Sequence, residues 1–250
     1  MSDNEKLALE LINVKKSVST LTLCEALGIS ESTARRLLLR LSNRGVIHKY
    51  HGGGMSIDYY SVRNGIQKRF EQHSDEKERI AREAASRVKP ESTIILLGGT
   101  TVFKMCKHLK GMKVTVITNS MIVFDALKDE QAVDILILGG KFNRNEMELS
   151  GVITNSNLKI LRADSLFMGT TFFHPRIGFM TSDINSLELY GLCMDAARKR
   201  YILADSSKLS TQGTAVTAAC EQLDCLITNK ELNANIIEDF RRSGLEVVLV

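Results

Sequence analysis

The chain has 250 residues, a formal net charge of +4 and 44% hydrophobic residues. This length supplies enough buried surface for one large domain or two smaller ones without disulfide staples. The five cysteines form no Cys-x-x-Cys pair, so we expect buried thiols in a reducing cytoplasm. The sequence shows neither a signal peptide nor an apolar run long enough to cross a membrane, and it therefore predicts a cytoplasmic protein without a membrane anchor.

The charge is distributed unevenly along the chain. Residues 1–70 hold 11 Lys/Arg against 6 Asp/Glu, a net of +5, whereas residues 71–250 hold 22 against 23, a net of −1. A small basic head joined to a neutral body is typical of a protein whose head binds a polyanion.

The first third of the chain predicts a helix-turn-helix. An amphipathic helix at 5–14 is followed by a short helix at 20–27, which ends at Gly28 because glycine takes φ > 0 without steric cost. Ser30 then caps a second helix that runs to about Asn43 and that we expect to enter the DNA major groove. The predicted DNA contacts on its outer side are Ser32, Thr33, Arg35, Arg36 and Arg40. The same pattern also fits a helical hairpin with a solvated basic face, and the residues alone leave both interpretations open.

A small hairpin and a linker follow the second helix. Residues 46–51 alternate in polarity and end in three glycines, which predicts a wing whose Lys49 and His51 lie against DNA phosphate. Residues 55–73 have no clean period, and Ser74 caps a further helix that reaches Val88. We therefore predict a winged helix-turn-helix domain at 1–57, a linker at 58–74 and a second, α/β domain at 75–250.

The remaining residues predict a mostly parallel sheet covered by helices. Continuous apolar runs that alternate with helical stretches are typical of buried parallel strands. The predicted strands are 93–97, 114–118, 134–138, 165–168, 201–204, 225–228 and 246–250, and the predicted helices lie near 102–109, 121–128, 186–200 and 233–242. Segments 141–163 and 170–185 are too long for plain connections, so we expect them to cover a pocket or to form subunit contacts.

Glycine and polar residues stand where four of these strands end, and ligands bind beyond the carboxyl ends of parallel strands. The clusters are 98–101, 118–120, 139–141 and 205–208. Together they predict a pocket for a small hydroxylated anion, with a phosphorylated sugar as the natural candidate. We expect Gly99, Thr100, Thr101 and Lys208 to hold the phosphate, and Asn119, Gly140, Lys141 and Asp205 to face the sugar. Each cluster alone also fits an ordinary turn, because turns use the same residue types.

The order and spacing of these motifs resemble the DeoR-type transcriptional regulators over nearly the whole chain. The head matches that family's pattern at 27–30, 33–36, 41, 45 and 51–53, and the second domain matches it at 76–77, 80–81, 99–101, 118–120, 139–140, 163–169 and 204–208. The resemblance implies a bacterial repressor, usually a dimer or tetramer, that binds double-stranded operator DNA. It also implies a second domain that resembles ribose-5-phosphate isomerase and senses a sugar phosphate, which lowers operator affinity when it binds.

Several positions depart from the family's pattern. Leu37 follows the arginine pair where an aspartate is usual, and Leu97 replaces an acidic residue before Gly-Thr-Thr. Ser186 and Leu192 stand where the family has Glu and Lys, and the last Thr-Asp is Thr228-Asn229. The phosphate-holding elements are kept while the polar groups that would bind the rest of the sugar are altered. Our hypothesis is an effector that is atypical at its non-phosphate end, or a sensor that has weakened.

A sugar-phosphate isomerase that carries an accessory DNA-binding head is the alternative function. The isomerases use an acid-rich stretch, whereas the corresponding region here, 164–174, offers one acid and His174, and general acid–base catalysis needs positioned titratable groups. A purely architectural module would leave the four clusters without a purpose. We therefore predict a regulator of a sugar or sugar-alcohol operon that is not an enzyme and holds no cofactor and no metal.

Overall fold

The computed structural model describes residues 1–56 and 68–250. The chain divides into two compact units, Met1–Lys68 and Arg69–Val250. Residues 69–74, which we predicted as the end of a linker, therefore belong to the second unit, and the linker residues 58–67 lie outside the described residues. Within the described ranges, no helix is long and apolar enough to cross a membrane.

The first unit, the head, is a helix-turn-helix with a three-stranded sheet. Its elements are α1 (Asp3–Lys15), β1 (Ser17–Ser19), α2 (Thr20–Leu27), α3 (Glu31–Asn43), β2 (Ile47–Tyr50) and β3 (Gly53–Ser56). Gly28 ends α2 at φ 63°, and the Ser30 side chain accepts from the backbone N–H of Thr33 at the start of α3. The three helices enclose a core that includes Ala8, Ile12, Leu23, Ala34, Leu37, Leu38 and Leu41.

The wing differs from the prediction in one respect. The glycines do not simply end the hairpin: β3 begins at Gly53, pairs antiparallel with β2, and also pairs antiparallel with β1, which the sequence did not indicate. A Cβ on Gly53 would lie 2.4 Å from the carbonyl oxygen of Val18, and one on Gly54 would lie 2.7 Å from Cδ2 of Leu38. Glycine is needed there because the returning strand packs closely on its neighbours. Met55 and Ser56, which begin the stretch without a clean period in the sequence, belong to β3.

The second unit, the sensor, is built on a seven-stranded parallel sheet. Its elements in chain order are α4 (Ser74–Ser86), β4 (Thr93–Leu96), α5 (Thr100–Leu109), β5 (Val114–Thr118), α6 (Met121–Leu127), β6 (Val133–Ile137), β7 (Lys141–Asn143), β8 (Glu148–Ser150), α7 (Val152–Lys159), β9 (Ala163–Gly169), β10 (Phe172–His174), β11 (Gly178–Thr181), α8 (Leu187–Ala196), β12 (Ala197–Leu203), β13 (Ala215–Ala218), β14 (Cys225–Thr228), α9 (Ala234–Arg242) and β15 (Glu246–Leu249). The strand order is β15-β14-β12-β9-β4-β5-β6, with every neighbouring pair parallel.

Two predicted segments fold differently from expectation. The helix predicted at 186–200 ends at Ala196, and Lys199 and Arg200 lie in β12 beside Ser165 and Leu166 of β9. The long segments carry their own structure: β7 and β8 form a hairpin, and β10, β11 and β13 form a small antiparallel sheet. These elements were not predicted, because their strands are only three or four residues long and several are polar.

Both faces of the parallel sheet are buried, in agreement with its continuous apolar strands. One cluster of buried residues includes Ile95, Leu97 and Phe240, and the cluster on the other side includes Ile94, Leu96 and Phe167. Consecutive residues of β4 therefore point to opposite layers. Four of the five cysteines are buried and Cys24 is half-buried, all as free thiols, and burial raises the pKa of Cys106 to about 12.

Candidate functional site

The second helix of the head exposes its predicted DNA contacts. Arg35 and Arg36 are exposed, and Nη2 of Arg35 contacts Oε1 of Glu31 at 2.5 Å while Nε of Arg36 donates to the Ser32 carbonyl at 3.3 Å. Ion pairs of this exposed i,i+4 type contribute little to stability and exchange readily for other partners. Both guanidinium groups are therefore available for a polyanion. Oγ of Ser30 lies 3.1 Å from Ser32 Oγ and 2.9 Å from Thr33 Oγ1, so the cap also orients these two hydroxyls.

Arg40 is engaged within the head itself. Its Nε lies 3.2 Å from Oε1 of Glu5, and Arg44 Nη1 donates to Oε2 of the same carboxylate at 3.0 Å. Glu5 is 3% exposed and also accepts from the backbone N–H of Ser2. That hydrogen bond, with the two arginines, holds the pKa of Glu5 below its usual value. Arg40 thus compensates a buried charge, although its own side chain remains more than half exposed.

The wing lies close to one of the helix arginines. A shallow cavity of about 180 Å³ in the head is lined by Arg35, Lys49, His51 and Gly52, among others. Lys49 and His51 are both exposed. The structure therefore brings together three of the seven predicted DNA contacts, whereas Arg36 and Arg40 lie outside this cavity.

The sensor holds a larger cavity, of about 360 Å³, at the carboxyl ends of β4, β9 and β12. Five of the eight residues predicted to bind the effector line it: Gly99, Thr100, Thr101, Asp205 and Lys208. This is the end of the sheet at which parallel α/β folds bind ligands. The cavity is also lined by residues from α4, from the hairpin β7–β8 and from the first turn of α8.

One end of the cavity is suited to an anion, and we call it the cationic end; it comprises Gly99, Thr100, Thr101, Lys77 and Lys208. The helix α5 starts after Gly99 (φ 124°, ψ 145°) and has no side-chain cap, so its first N–H groups are left without an acceptor from a capping side chain. Lys208 ends the short turn Ser206–Lys208, and its ammonium has no hydrogen bond or ion pair within residues 1–56 and 68–250.

Lys77 of α4 was not predicted for this site. It is 3% exposed, and its Nζ donates to the backbone carbonyls of Arg69 and of Gln72, the latter at 2.7 Å. Burial lowers the pKa of Lys77, and Asp205 partly offsets that effect. In the sequence Lys77 is one of several charged residues at the start of an amphipathic helix, so only the helix's packing shows that it faces the cavity.

A second group of lining residues, which we call the acidic end, comprises Glu146, Glu148, Asp183 and Tyr190. Arg69 donates to Oε2 of Glu146 at 2.8 Å. Asp183 caps the turn Ile184–Ser186, and the hydrogen bond from Ser186, at 2.7 Å, contributes most to keeping its pKa below the usual value. Burial, reinforced by the charge of Glu146, raises the pKa of Glu148 to about 7. None of these residues was predicted, because three lie on segments whose fold the sequence did not reveal.

The other three predicted effector contacts do not line the cavity. Asn119 is buried, and its Nδ2 donates to the Leu149 carbonyl at 3.1 Å and to Glu148 Oε2 at 3.4 Å. Gly140 has φ 145°, and a Cβ there would lie 2.2 Å from Oγ1 of Thr154, so this glycine is needed for close packing. Lys141 is exposed on β7. The structure therefore separates Asn119, Gly140 and Lys141 from the cavity that the other five share.

The structure shows what surrounds each residue that departs from the DeoR-type sequence pattern. Leu37 and Leu97 are each buried in an apolar cluster, where an acidic side chain would lack a partner. Ser186 lines the cavity and donates to Asp183, and Leu192 packs against the sensor core. Asn229 donates to Ser206 Oγ at 2.9 Å and so steadies the turn that carries Lys208. Within the described residues, no group of three or more His, Cys, Asp or Glu could hold a metal ion.

Comparison with known proteins agrees with this two-part arrangement. The model of the DeoR C-terminal sensor domain matches residues 72–230, and the model of the DeoR-like helix-turn-helix domain matches residues 5–59. The HTH-type transcriptional regulator GolR of Listeria innocua is 30% identical over 96% of this chain and 94% of its own length. The HTH-type transcriptional repressor GlcR of Bacillus subtilis is 28% identical over 96% of this chain and 93% of its own.

A solved structure of ribose-5-phosphate isomerase A from Methanocaldococcus jannaschii is also similar, at 17% identity and a TM-score of 0.42 over 56% of each chain. A likeness at that level supports no conclusion about activity. The match of both domain models, in the expected order and over most of the sequence, confirms the resemblance seen in the motifs. The chain belongs to the DeoR family of helix-turn-helix regulators.

Proposed function

We propose that this chain represses a sugar or sugar-alcohol operon, and that a phosphorylated sugar bound in the sensor cavity releases the head from operator DNA. The observation that carries the proposal is the cationic end of the cavity. There an uncapped helix start meets Lys208, whose ammonium has no acceptor in the described part of the chain. Backbone N–H groups at a helix start together with a lysine form a typical phosphate site.

The head supports the DNA-binding half of the proposal. Arg35 and Arg36 are exposed on α3, and Arg35 shares a concave surface with Lys49 and His51. In a winged helix-turn-helix this arrangement places the helix in the major groove and the wing on the phosphate backbone. Ser32 and Thr33 lie beside the arginines at the start of the same helix. The relative GlcR is named as a transcriptional repressor, which is why we propose repression rather than activation.

We infer that the chain acts as a homodimer or homotetramer. Helix-turn-helix dimers bind two half-sites about 34–36 Å apart, so one copy of α3 would read only half of such an operator. Sedimentation of the full chain, alone and with bound DNA, measures the number of copies. A single copy on DNA at saturating protein would contradict this inference.

The test of the proposal begins with finding the operator. The full chain is mixed with fragmented bacterial DNA, bound fragments are recovered and sequenced, and binding of the recovered duplex is followed by fluorescence anisotropy. Sugar phosphates and their unphosphorylated parents are then added one by one. We expect one phosphate to weaken duplex binding and its parent sugar to leave it unchanged. The effector must favour a head arrangement that does not fit the operator, because equal affinity for both states shifts nothing.

Lys208→Ala supplies the decisive comparison. This variant should bind the duplex like the parent chain and lose the response to the phosphate, because it removes the unpaired cation of the cavity. Lys199→Ala is the matched control: its ammonium pairs with Asp224 at 2.8 Å, and it does not line the cavity. If Lys208→Ala responds to the effector like the parent chain, the cavity is not the effector site.

The raised pKa of the Glu148 carboxyl favours a second candidate function, that of a sugar-phosphate isomerase. A carboxyl whose pKa is raised to about 7 has the property that a general base needs. Against this candidate, His174 does not line the cavity and instead accepts from the Arg176 backbone N–H, and the relatives above are named as regulators. Incubation of the chain with ribose 5-phosphate and with hexose 6-phosphates distinguishes the two, because a regulator returns the ligand unchanged.

A further inference from the structure

The acidic end of the sensor cavity holds three carboxylates, and among the described residues Arg69 forms an ion pair with one of them, Glu146. Glu146 is neutralised by Arg69, and Asp183 accepts hydrogen bonds from Ser186 and Asn185. The charges that act most on Glu148 are the carboxylate of Glu146, the guanidinium of Arg69 and the carboxylate of Asp183. Within residues 1–56 and 68–250, no lysine or arginine forms an ion pair with Glu148.

Glu148 is held in place by close packing, not by hydrogen bonds. It begins β8, and a Cβ on Gly98 would lie 1.7 Å from its Oε1 and 2.5 Å from its Cδ, so the carboxyl occupies the space that the glycine leaves. Its only hydrogen bond within the described residues is the one that Asn119 Nδ2 donates to Oε2, at 3.4 Å. That distance is at the long limit for such a bond. Oε1 therefore faces the cavity without a donor.

Tyr190 adds a second unsatisfied polar group at the same end. It lines the cavity from α8, and burial together with the charge of Glu148 raises the pKa of its phenol. Its hydroxyl makes no hydrogen bond within the part of the chain that the structure describes. A neutral phenol and a carboxyl with a free oxygen can together receive a group that brings several N–H donors.

A cationic group suits this end better than a sugar hydroxyl does. A hydroxyl brings a single donor and no charge, whereas an ammonium brings three donors and a positive charge. Burying a carboxylate beside other acids is costly unless a cation accompanies it. Burial and the neighbouring charge of Glu146 raise the pKa of Glu148 for this reason. An ammonium on the ligand would remove that cost, and hydrogen bonds between charged groups are the stronger kind.

We infer that the effector carries an amino group on its sugar in addition to its phosphate, and that Glu148 binds this ammonium. The inference rests on the proposed function, since it assigns the other end of the same ligand. The phosphate lies at the cationic end and the amino substituent at the acidic end, so the two ends of the cavity select an amino-sugar phosphate over the corresponding sugar phosphate.

The test is calorimetric titration of the full chain with matched pairs of ligands. The pairs are glucosamine and glucose 6-phosphate, galactosamine and galactose 6-phosphate, and mannosamine and mannose 6-phosphate, with free glucosamine as the unphosphorylated control. In at least one pair the amino member should bind about ten- to a hundredfold more tightly, as a charge-assisted hydrogen bond predicts. If the plain member binds as tightly in every pair, the inference is wrong while the phosphate site stands. If no phosphate binds, the proposed function itself fails.

Glu148→Gln isolates the residue, because it keeps the shape and removes the charge. It should lose the preference for the amino member, so that the two members of each pair bind with similar affinity. Glu188→Gln is the matched control, since Glu188 accepts from Asn155 at 2.8 Å and does not line the cavity. Gly98→Ala is a second route to the same result: its new methyl group displaces the Glu148 carboxyl without altering its charge. Retention of the full preference in both Glu148→Gln and Gly98→Ala would overturn the inference.

The dependence on pH provides an independent readout. Glu148 is neutral below its pKa of about 7 and charged above it, so preference for the amino member should rise as the pH passes through that value and should fall again at higher pH, where the ligand's ammonium loses its proton. The plain member corrects for the titration of the phosphate itself, whose second pKa is about 6. In Glu148→Gln this rise should disappear. A preference that is independent of pH in the parent chain would contradict the role of Glu148.

Discussion

Arg44 donates from Nη1 to Oε2 of Glu5 at 3.0 Å, and so ties the end of α3 to the first helix of the head. The same carboxylate contacts Arg40 and accepts from the Ser2 backbone. A buried carboxylate requires such partners. The orientation of α3 is thus linked to a buried charge on α1.

We expect Glu5→Gln to destabilise the head near neutral pH. The pKa of Glu5 is lowered in the folded chain, so its contribution is present above the usual carboxyl range and is lost as the pH falls through the folded value. Hydrogen exchange of the amides in residues 1–56 of the full chain should speed up in the variant at neutral pH and should differ less from the parent in acid. Glu10→Gln, an exposed change on the same helix, should leave the exchange unchanged.

Arg36→Ala should affect DNA binding more than stability. Its guanidinium is exposed and contacts only the Ser32 carbonyl within the described residues, so it is free to read a base. The loss should weaken operator binding by about 1–3 kcal/mol and relax specificity at one base pair. Arg40→Ala should instead reduce the stability of the head, because Arg40 pairs with Glu5. Selection of binding sites from a random duplex library compares the two variants. Unchanged specificity in Arg36→Ala would show that this residue only contacts phosphate.

Lys49→Ala should weaken binding to every duplex alike. Lys49 is exposed in the wing and shares a cavity with Arg35 and His51, which fits a contact with the phosphate backbone. Each phosphate contact adds about 0.9 to the slope of log affinity against log salt, so the slope should fall by roughly one in the variant. Titrations over a range of salt concentrations measure this directly. A change in base preference would assign Lys49 to sequence reading.

Gly140→Ala should destabilise the sensor, whereas Gly139→Ala should be tolerated. The backbone of Gly140 has φ 145°, and a Cβ there would lie 2.2 Å from Thr154 Oγ1 and 2.7 Å from the Ser150 carbonyl. A side chain in such a conformation costs about 1–3 kcal/mol. A Cβ on Gly139 would meet only Ile153 Cγ2, at 3.5 Å. Thermal unfolding compares the two variants. Equal stability would show that the hairpin β7–β8 can move away from this glycine.

The elements that the sequence predicts well are those with strong local signals. Residues 114–118 and 225–228 match β5 and β14 because each is a continuous apolar run with clear ends. The helix α3 matches because a serine cap and a helical apolar spacing agree. The hairpin β7–β8 escaped prediction, because three-residue polar strands carry no period and are stabilised by distant contacts.

The candidate site could be predicted only in part, for the same reason. Gly99, Thr100, Thr101, Asp205 and Lys208 follow strands, and the topology of a parallel sheet brings strand ends together. Lys77, Glu148 and Tyr190 reach the cavity from a preceding helix and from covering segments. Their positions depend on packing between residues far apart in the chain, which no local pattern specifies. Asn119 also follows a strand, but its side-chain amide donates to the Leu149 carbonyl in the hairpin β7–β8. It therefore does not line the cavity.

The hydrogen bonds of Lys77 join a residue that lines the cavity to the first residues of the sensor unit. Its ammonium lines the cavity and at the same time anchors the carbonyls of Arg69 and Gln72, which open the second unit. A phosphate bound next to Lys77 would compete with those two carbonyls for the N–H donors of the ammonium. Binding of a phosphate would therefore weaken the hydrogen bonds that hold Arg69 and Gln72. We therefore expect the amides of residues 69–73 to exchange faster with deuterium when a phosphate binds beside Lys77.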